Sequence, residues 1–215
     1  MGNYEYLLFD LDGTLTDPAL GITNSVMHAL KKWGIEVKDR SELYSFIGPP
    51  LSASFKKYYG FTDSDALKCV EYYREYFRDK GIFENKVYGG IENLLCELKN
   101  AGKTIILATS KPEIFAKRIL DHFDLAEYFD FVAGASMDES RNKKADVIRY
   151  ALDMAEITDL SRALMIGDRD QDILGAKANG LDSLGVLYGY GDREELEGAG
   201  ATYIAETVED ILSFV

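Results

Sequence analysis

Short apolar runs alternate with amphipathic stretches over most of the chain, beginning almost at residue 1. Tyr4-Glu5-Tyr6-Leu7-Leu8-Phe9 predicts a strand buried on both faces, the pattern of a parallel sheet. Similar apolar runs recur at residues 104–108, 131–133, 163–166 and 183–187. Between them, the spacing predicts helices over 91–98, 113–123, 144–155 and 172–179, with a short closing helix over 208–214. Ala101-Gly102 supplies the stop for the first of these. Strand and helix in regular succession predict an α/β fold with a doubly wound, Rossmann-like parallel sheet.

Residues 17–81 interrupt that succession. Asp17-Pro18 predicts a helix start, with Asp17 as N-cap and Pro18 at the first helical position. Ile22, Val26, Ala29 and Leu30 then repeat at helical spacing, and Val70, Tyr73 and Phe77 share one face of a second long helix over 65–78. Gly48-Pro49-Pro50 forces a turn between them. The expected organisation is a core of residues 1–16 and 82–215 carrying an inserted all-helical cap of residues 17–81, above the strand ends. Its aromatic residues, among them Tyr44, Phe46, Phe55, Tyr58, Tyr73 and Phe77, sit at spacings that assign most of them to packing.

Composition narrows the partners. The chain has 215 residues, 47% hydrophobic and 28% charged, as a soluble globular protein would, and a net charge of −13. That charge argues against nucleic acid and anionic membrane, which require a basic surface. An anionic substrate would need local attraction. Cys69 and Cys96 are too far apart in sequence for a zinc or redox motif and read as small buried hydrophobes in a reducing compartment. No basic-apolar leader and no bilayer-length apolar run is visible, so the expected location is cytoplasmic, and oligomeric state is not readable.

The candidate chemistry collects at predicted strand ends, where ligands of open α/β sheets bind. Directly after the first strand comes Asp10-Leu11-Asp12-Gly13-Thr14-Leu15-Thr16-Asp17. Two spaced carboxylates on irregular backbone suit a hard divalent ion such as Mg²⁺, although Asp-x-Asp-Gly is also a common solvated turn. Thr109-Ser110-Lys111-Pro112 follows the second core strand and offers hydroxyls and amides at a helix start, an anion site or an ordinary cap. Lys144 opens a helix whose dipole opposes a cation, so either an anion lies nearby or the side chain is solvated; Lys143 is the rival. Gly167-Asp168-Arg169-Asp170-Gln171-Asp172 ends another strand. Capping accounts for Asp170 or Asp172 but poorly for Asp168.

Taken together, Asp10, Thr109, Lys144 and Asp168 resemble the four motifs of the haloacid dehalogenase-like (HAD) superfamily, over nearly the whole chain. Phe46-Ile47-Gly48-Pro49-Pro50-Leu51 resembles the cap loop of its phosphoglycolate phosphatase-like branch, from which Pro18 and Ser110 depart, replacing the usual serine and asparagine. The resemblance implies a Mg²⁺-dependent phosphatase for a small phosphorylated metabolite, with Asp10 as nucleophile and Asp12 as general acid and base. It places Mg²⁺ on Asp10, the Asp12 carbonyl and Asp168, with Asp172 orienting the metal shell or Lys144. Thr109, Lys144 and the amides of Leu11, Asp12 and Ser110 then bind the phosphoryl group, and Gly48 lets cap backbone approach the leaving group. A sugar phosphomutase shares this core. A phosphorylated receiver domain shares the residue types, but it has adjacent acids after its first strand and no insertion there.

Overall fold

Leu7, Leu8 and Phe9 are wholly buried in β1 (Tyr6–Phe9) of the computed structural model, which describes residues 4–138 and 140–215. The chain divides into two units, Met1–Asp17 with Val87–Val215, and Pro18–Lys86. The division therefore falls one residue later than expected on the way out and five residues later on the return. Short strands β2 (Thr16–Asp17) and β3 (Lys86–Val87) lie at these crossings.

Within Pro18–Lys86 the elements are helical. Helix α1 (Ala19–Lys32) buries Ile22, Val26, Ala29 and Leu30, the predicted stripe, and packs against α3 (Asp63–Phe77), which buries Val70, Tyr73 and Phe77. The shorter α2 (Leu51–Tyr59) also packs on α3. Phe46 and Phe55 are buried with ring centroids 5.0 Å apart, whereas Tyr44 and Tyr58 are exposed. The helix start differs from expectation: Pro18, not Asp17, is the N-cap residue, and the Asp17 carboxylate instead accepts a hydrogen bond from the Tyr190 hydroxyl.

In the other unit, β4 (Thr104–Pro112), β5 (Phe131–Ala135), β6 (Ala163–Gly167), β7 (Asp182–Val186) and β8 (Tyr203–Ala205) join β1 in a six-stranded sheet. Its order is β5-β4-β1-β6-β7-β8, and every pairing is parallel. The chain adds strands on one side of β1, then returns to add β6, β7 and β8 on the other, so the order reverses between β1 and β6. All five residues of β6 are buried, as a central parallel strand requires.

Among the described residues, five helices cover this sheet: α4 (Ile91–Asn100), α5 (Glu113–His122), α6 (Lys144–Met154), α7 (Asp170–Ala178) and α8 (Arg193–Ala199). Val147, Ile148 and Ala151 of α6 and Ala176 of α7 pack on Leu8, Ile106 and Met165. Burying each larger aliphatic contributes about 1.5–3 kcal/mol. Helix α8 and strand β8 lie in a stretch for which sequence periodicity predicts nothing, and the closing segment Glu209–Ser213 is a 3-10 helix. Cys96 is exposed, contrary to expectation, because α4 turns Ile91, Leu94, Leu95 and Leu98 inward and leaves the position after Leu95 outward. No described helix is long and apolar enough to cross a membrane.

Candidate active site

The parallel register sets Phe9 beside Ile166, so Asp10 and Asp168 leave neighbouring strands at the point where the strand order reverses. The Asp10 amide donates to the Ile166 carbonyl at 2.9 Å, which carries the sheet hydrogen bonding one residue further. Lys144, the first residue of α6, reaches the same place. Its Nζ donates to Asp10 Oδ1 at 2.7 Å and to the Ala108 carbonyl at 2.8 Å. It also lies 2.7 Å from Asp172 Oδ1, an ion-pair contact without the directionality of a hydrogen bond. Lys144 is 6% exposed, whereas its rival Lys143 is exposed and only precedes the helix.

Asp10, Asp168 and Asp172 each offer an oxygen, and the three oxygens lie within 4.8 Å of one another. The backbone makes room for them. Gly13 has φ +90°, and a Cβ there would stand 2.1 Å from Asp168 Oδ2, so only glycine fits. At Gly167 a Cβ would meet Asp172 Oδ2 at 2.2 Å. Asp172 Oδ2 also accepts from the Arg169 amide at 3.1 Å, so this residue caps α7 while its other oxygen faces Lys144.

Asp12 sits differently. Its carboxylate is not one of the three; Oδ2 pairs with Lys111 Nζ at 2.7 Å, and Oδ1 is buried without a hydrogen-bond partner among the described residues. Asp172, expected only in a supporting place, supplies a carboxylate to the cluster instead. Thr109 is buried, and its Oγ1 accepts from the Lys111 amide at 3.2 Å. Ser110 Oγ is also buried and lacks a described partner. Residues 109–112 continue β4 through a register shift rather than forming a helix start, and α5 begins only at Glu113. Gly48 belongs to the helical unit, at φ +100° ahead of α2.

Two features escape sequence reading. One is Lys111, whose sequence neighbourhood carries no sign that it is buried against Asp12. The other is the turn after β7, where the Tyr190 amide donates to Asp168 Oδ2 at 2.8 Å and the Tyr188 hydroxyl donates to the Thr14 carbonyl at 2.9 Å. Gly189 in that turn has no space for a Cβ, which would lie 2.4 Å from Asp168 Cβ. The Tyr-Gly-Tyr-Gly run at residues 188–191 is the only sequence signal for this close approach.

Electrostatics shows what the cluster lacks. Burial raises the Asp168 carboxyl well above the ordinary carboxylate range, and Asp172 and Asp10 push it further. Burial likewise pushes Asp172 up to about 6, with Lys144 opposing and Asp10 adding. Burial also raises Asp12, against the pull of Lys111. Burial alone would lower the Lys144 ammonium, but Asp10 and Asp172 outweigh it and hold the group above its ordinary value. With Asp12 and Lys111 paired, three buried carboxyls face the Lys144 ammonium, so ionising all three would put two more negative charges there than the lysine offsets, and burial favours the protonated forms of Asp168 and Asp172 until a cation compensates them. Oxygen donors carrying that excess fit a hard divalent cation.

Residues 7–186 match the family described as haloacid dehalogenase-like hydrolase. A 5'-nucleotidase from Pseudomonas aeruginosa is 46% identical over 200 residues, covering 93% of this chain and 90% of that one. The tyrosine-protein kinase PtkA from Mycobacterium tuberculosis is 38% identical over 210 residues, covering 96% and 71%. Among solved structures, that of a predicted phosphatase from Clostridium acetobutylicum superposes with a TM-score of 0.95 at 52% identity, covering 98% of this chain and 97% of that one. The chain belongs to the haloacid dehalogenase-like hydrolase family.

Proposed function

We propose that this hydrolase is a Mg²⁺-dependent phosphatase that cleaves a small-molecule phosphomonoester through an aspartyl-phosphate on Asp10. The observation that carries the reading is the buried trio Asp10, Asp168 and Asp172 sharing the single ammonium of Lys144. Such a charge excess suits a divalent cation and a phosphoryl group together. Asp10 attacks phosphorus while Asp12 protonates the departing oxygen; Asp12 then takes a proton from the water that releases phosphate. Lys144 and Thr109, with the amides of Leu11, Asp12 and Ser110, hold the phosphoryl oxygens. Asp10, Asp168 and the Asp12 carbonyl, with Asp172 adjacent, would hold Mg²⁺, which when bound screens nucleophile from phosphate.

The relative named 5'-nucleotidase makes a nucleoside monophosphate the first substrate to try, with phosphoglycolate and sugar phosphates beside it. Phosphate release is measured across these esters with and without Mg²⁺. Stoichiometric free phosphate supports a hydrolase, and an isomerised ester would support the phosphomutase instead. Asp10→Asn should lower turnover on the order of 10⁴-fold or more while leaving the circular dichroism spectrum unchanged. Retained turnover in that variant overturns the covalent route.

A further inference from the structure

We propose that Lys111 is a positioning residue that fixes the Asp12 carboxyl so that Oδ1 alone gives and takes the catalytic proton, an assignment that rests on the reading of Asp12 above. Lys111 is buried at 9% exposure, at the end of β4 where the register shifts between Thr109 and Pro112. Its amide is tied to Thr109 Oγ1, and its ammonium lies 2.7 Å from Asp12 Oδ2. A buried ammonium is costly unless paired, so neutralising one carboxylate explains part of the arrangement. Charge balance alone does not explain its one-sidedness.

Only one oxygen of Asp12 is engaged. The other, Oδ1, is buried with no described partner, a costly condition for an acceptor unless a ligand group meets it. A carboxyl held at neither oxygen turns about its Cβ–Cγ bond and presents either one. With Oδ2 held by Lys111, the carboxyl keeps one orientation. Proton transfer needs heavy atoms within about 2.6–3.2 Å, and a misplacement of about 1 Å costs on the order of 10²-fold. The orphaned Ser110 Oγ, next to Lys111 in sequence, offers a further polar contact for an incoming ester.

The proton balance is closed. As the Asp10 oxygen bonds to phosphorus, the bond from phosphorus to the leaving oxygen breaks, and that oxygen takes the electron pair and the proton from Asp12 Oδ1. In the second half, Oδ1 takes a proton from water as the water oxygen bonds to phosphorus and the Asp10–phosphorus bond breaks. Lys111 itself transfers nothing. Its effect therefore depends on how much the leaving group needs a proton.

The test measures leaving-group release in the first turnover, with the full chain and saturating Mg²⁺, for an alkyl phosphate and for p-nitrophenyl phosphate, whose phenolate leaves without protonation. Lys111→Met is expected to slow release from the alkyl ester on the order of 10²-fold while slowing the aryl ester by less than about fivefold, with little change in KM for either. Lys111→Gln keeps a donor for Oδ2 without the charge, and it should retain most of the alkyl-ester rate. Equal losses on both esters, a change confined to KM, or a Gln variant as slow as Met would each overturn the assignment. A wild-type chain inactive on both esters would overturn the phosphatase reading and this assignment with it, and is distinguishable because no variant is needed to see it.

Discussion

Lys144 decides the charge balance of the cluster, and it is the residue for which sequence left two candidates. Its ammonium touches two carboxylates and a carbonyl in a buried site, so Lys144→Met removes the cation in direct contact with Asp10 and Asp172. Breaking a buried pair from one side costs about 3–5 kcal/mol, whereas a change at an exposed lysine usually stays within about 0.5 kcal/mol. Urea denaturation should therefore separate Lys144→Met from Lys143→Met by several kcal/mol. Equal stabilities would show that Lys144 does not compensate the trio. Asp10, Asp168 and Lys144 were legible as types at strand and helix ends. Lys111 was not, since nothing in its sequence neighbourhood tells a buried lysine from a solvated one.

Among the elements, α3 and α4 carry the two cysteines in opposite settings. Cys69 lies fully buried on the inner face of α3, and burial pushes its thiol up to about 12 from the ordinary 9.0. A folded-state pKa above the unfolded one means the neutral thiol's contribution is complete below about pH 9 and is lost as pH rises towards 12. Tyr4, Tyr188 and Tyr190 are raised by burial with the same sign, so the comparison needed is between wild type and Cys69→Ala. The alkaline loss of stability between pH 9 and 11 should be shallower in Cys69→Ala. A thiol reagent at pH 8 should titrate Cys96 quickly in the native protein and reach Cys69 only after denaturation. Rapid reaction of both would contradict the packing of α3. Periodicity identified the buried face of α3 because its apolar stripe is clean, but gave no reason to treat Cys96 differently from Cys69.

For the molecule as a whole, a chain of net charge −13 has concentrated part of its repulsion inside a site. An ion that binds only the folded state stabilises it by mass action, by about 2.7 kcal/mol at one hundred times its Kd. At about 2–4 °C per kcal/mol for a chain of this size, saturating Mg²⁺ should raise Tm by about 5–10 °C. Scanning calorimetry at matched ionic strength removes the contribution of surface screening. Asp168→Asn should abolish most of the rise, and an undiminished rise in that variant would place the ion elsewhere.

Hydrophobic periodicity by itself determined the α/β order of the core and the helical character of an insertion read as residues 17–81, because a strand buried on both faces and an amphipathic helix leave different repeats in the chain. It also placed aspartates at strand ends, since glycine and acids mark where apolar runs stop. Periodicity is silent on which strand lies beside which, and the return of β6 to the far side of β1 is what sets Asp168 against Asp10. Which lysine is buried, which Asp12 oxygen is held, and the approach of the Tyr190 turn to Asp168 were likewise decided by tertiary packing. Each depends on residues distant in sequence being brought within hydrogen-bonding distance, a condition that local pattern does not encode.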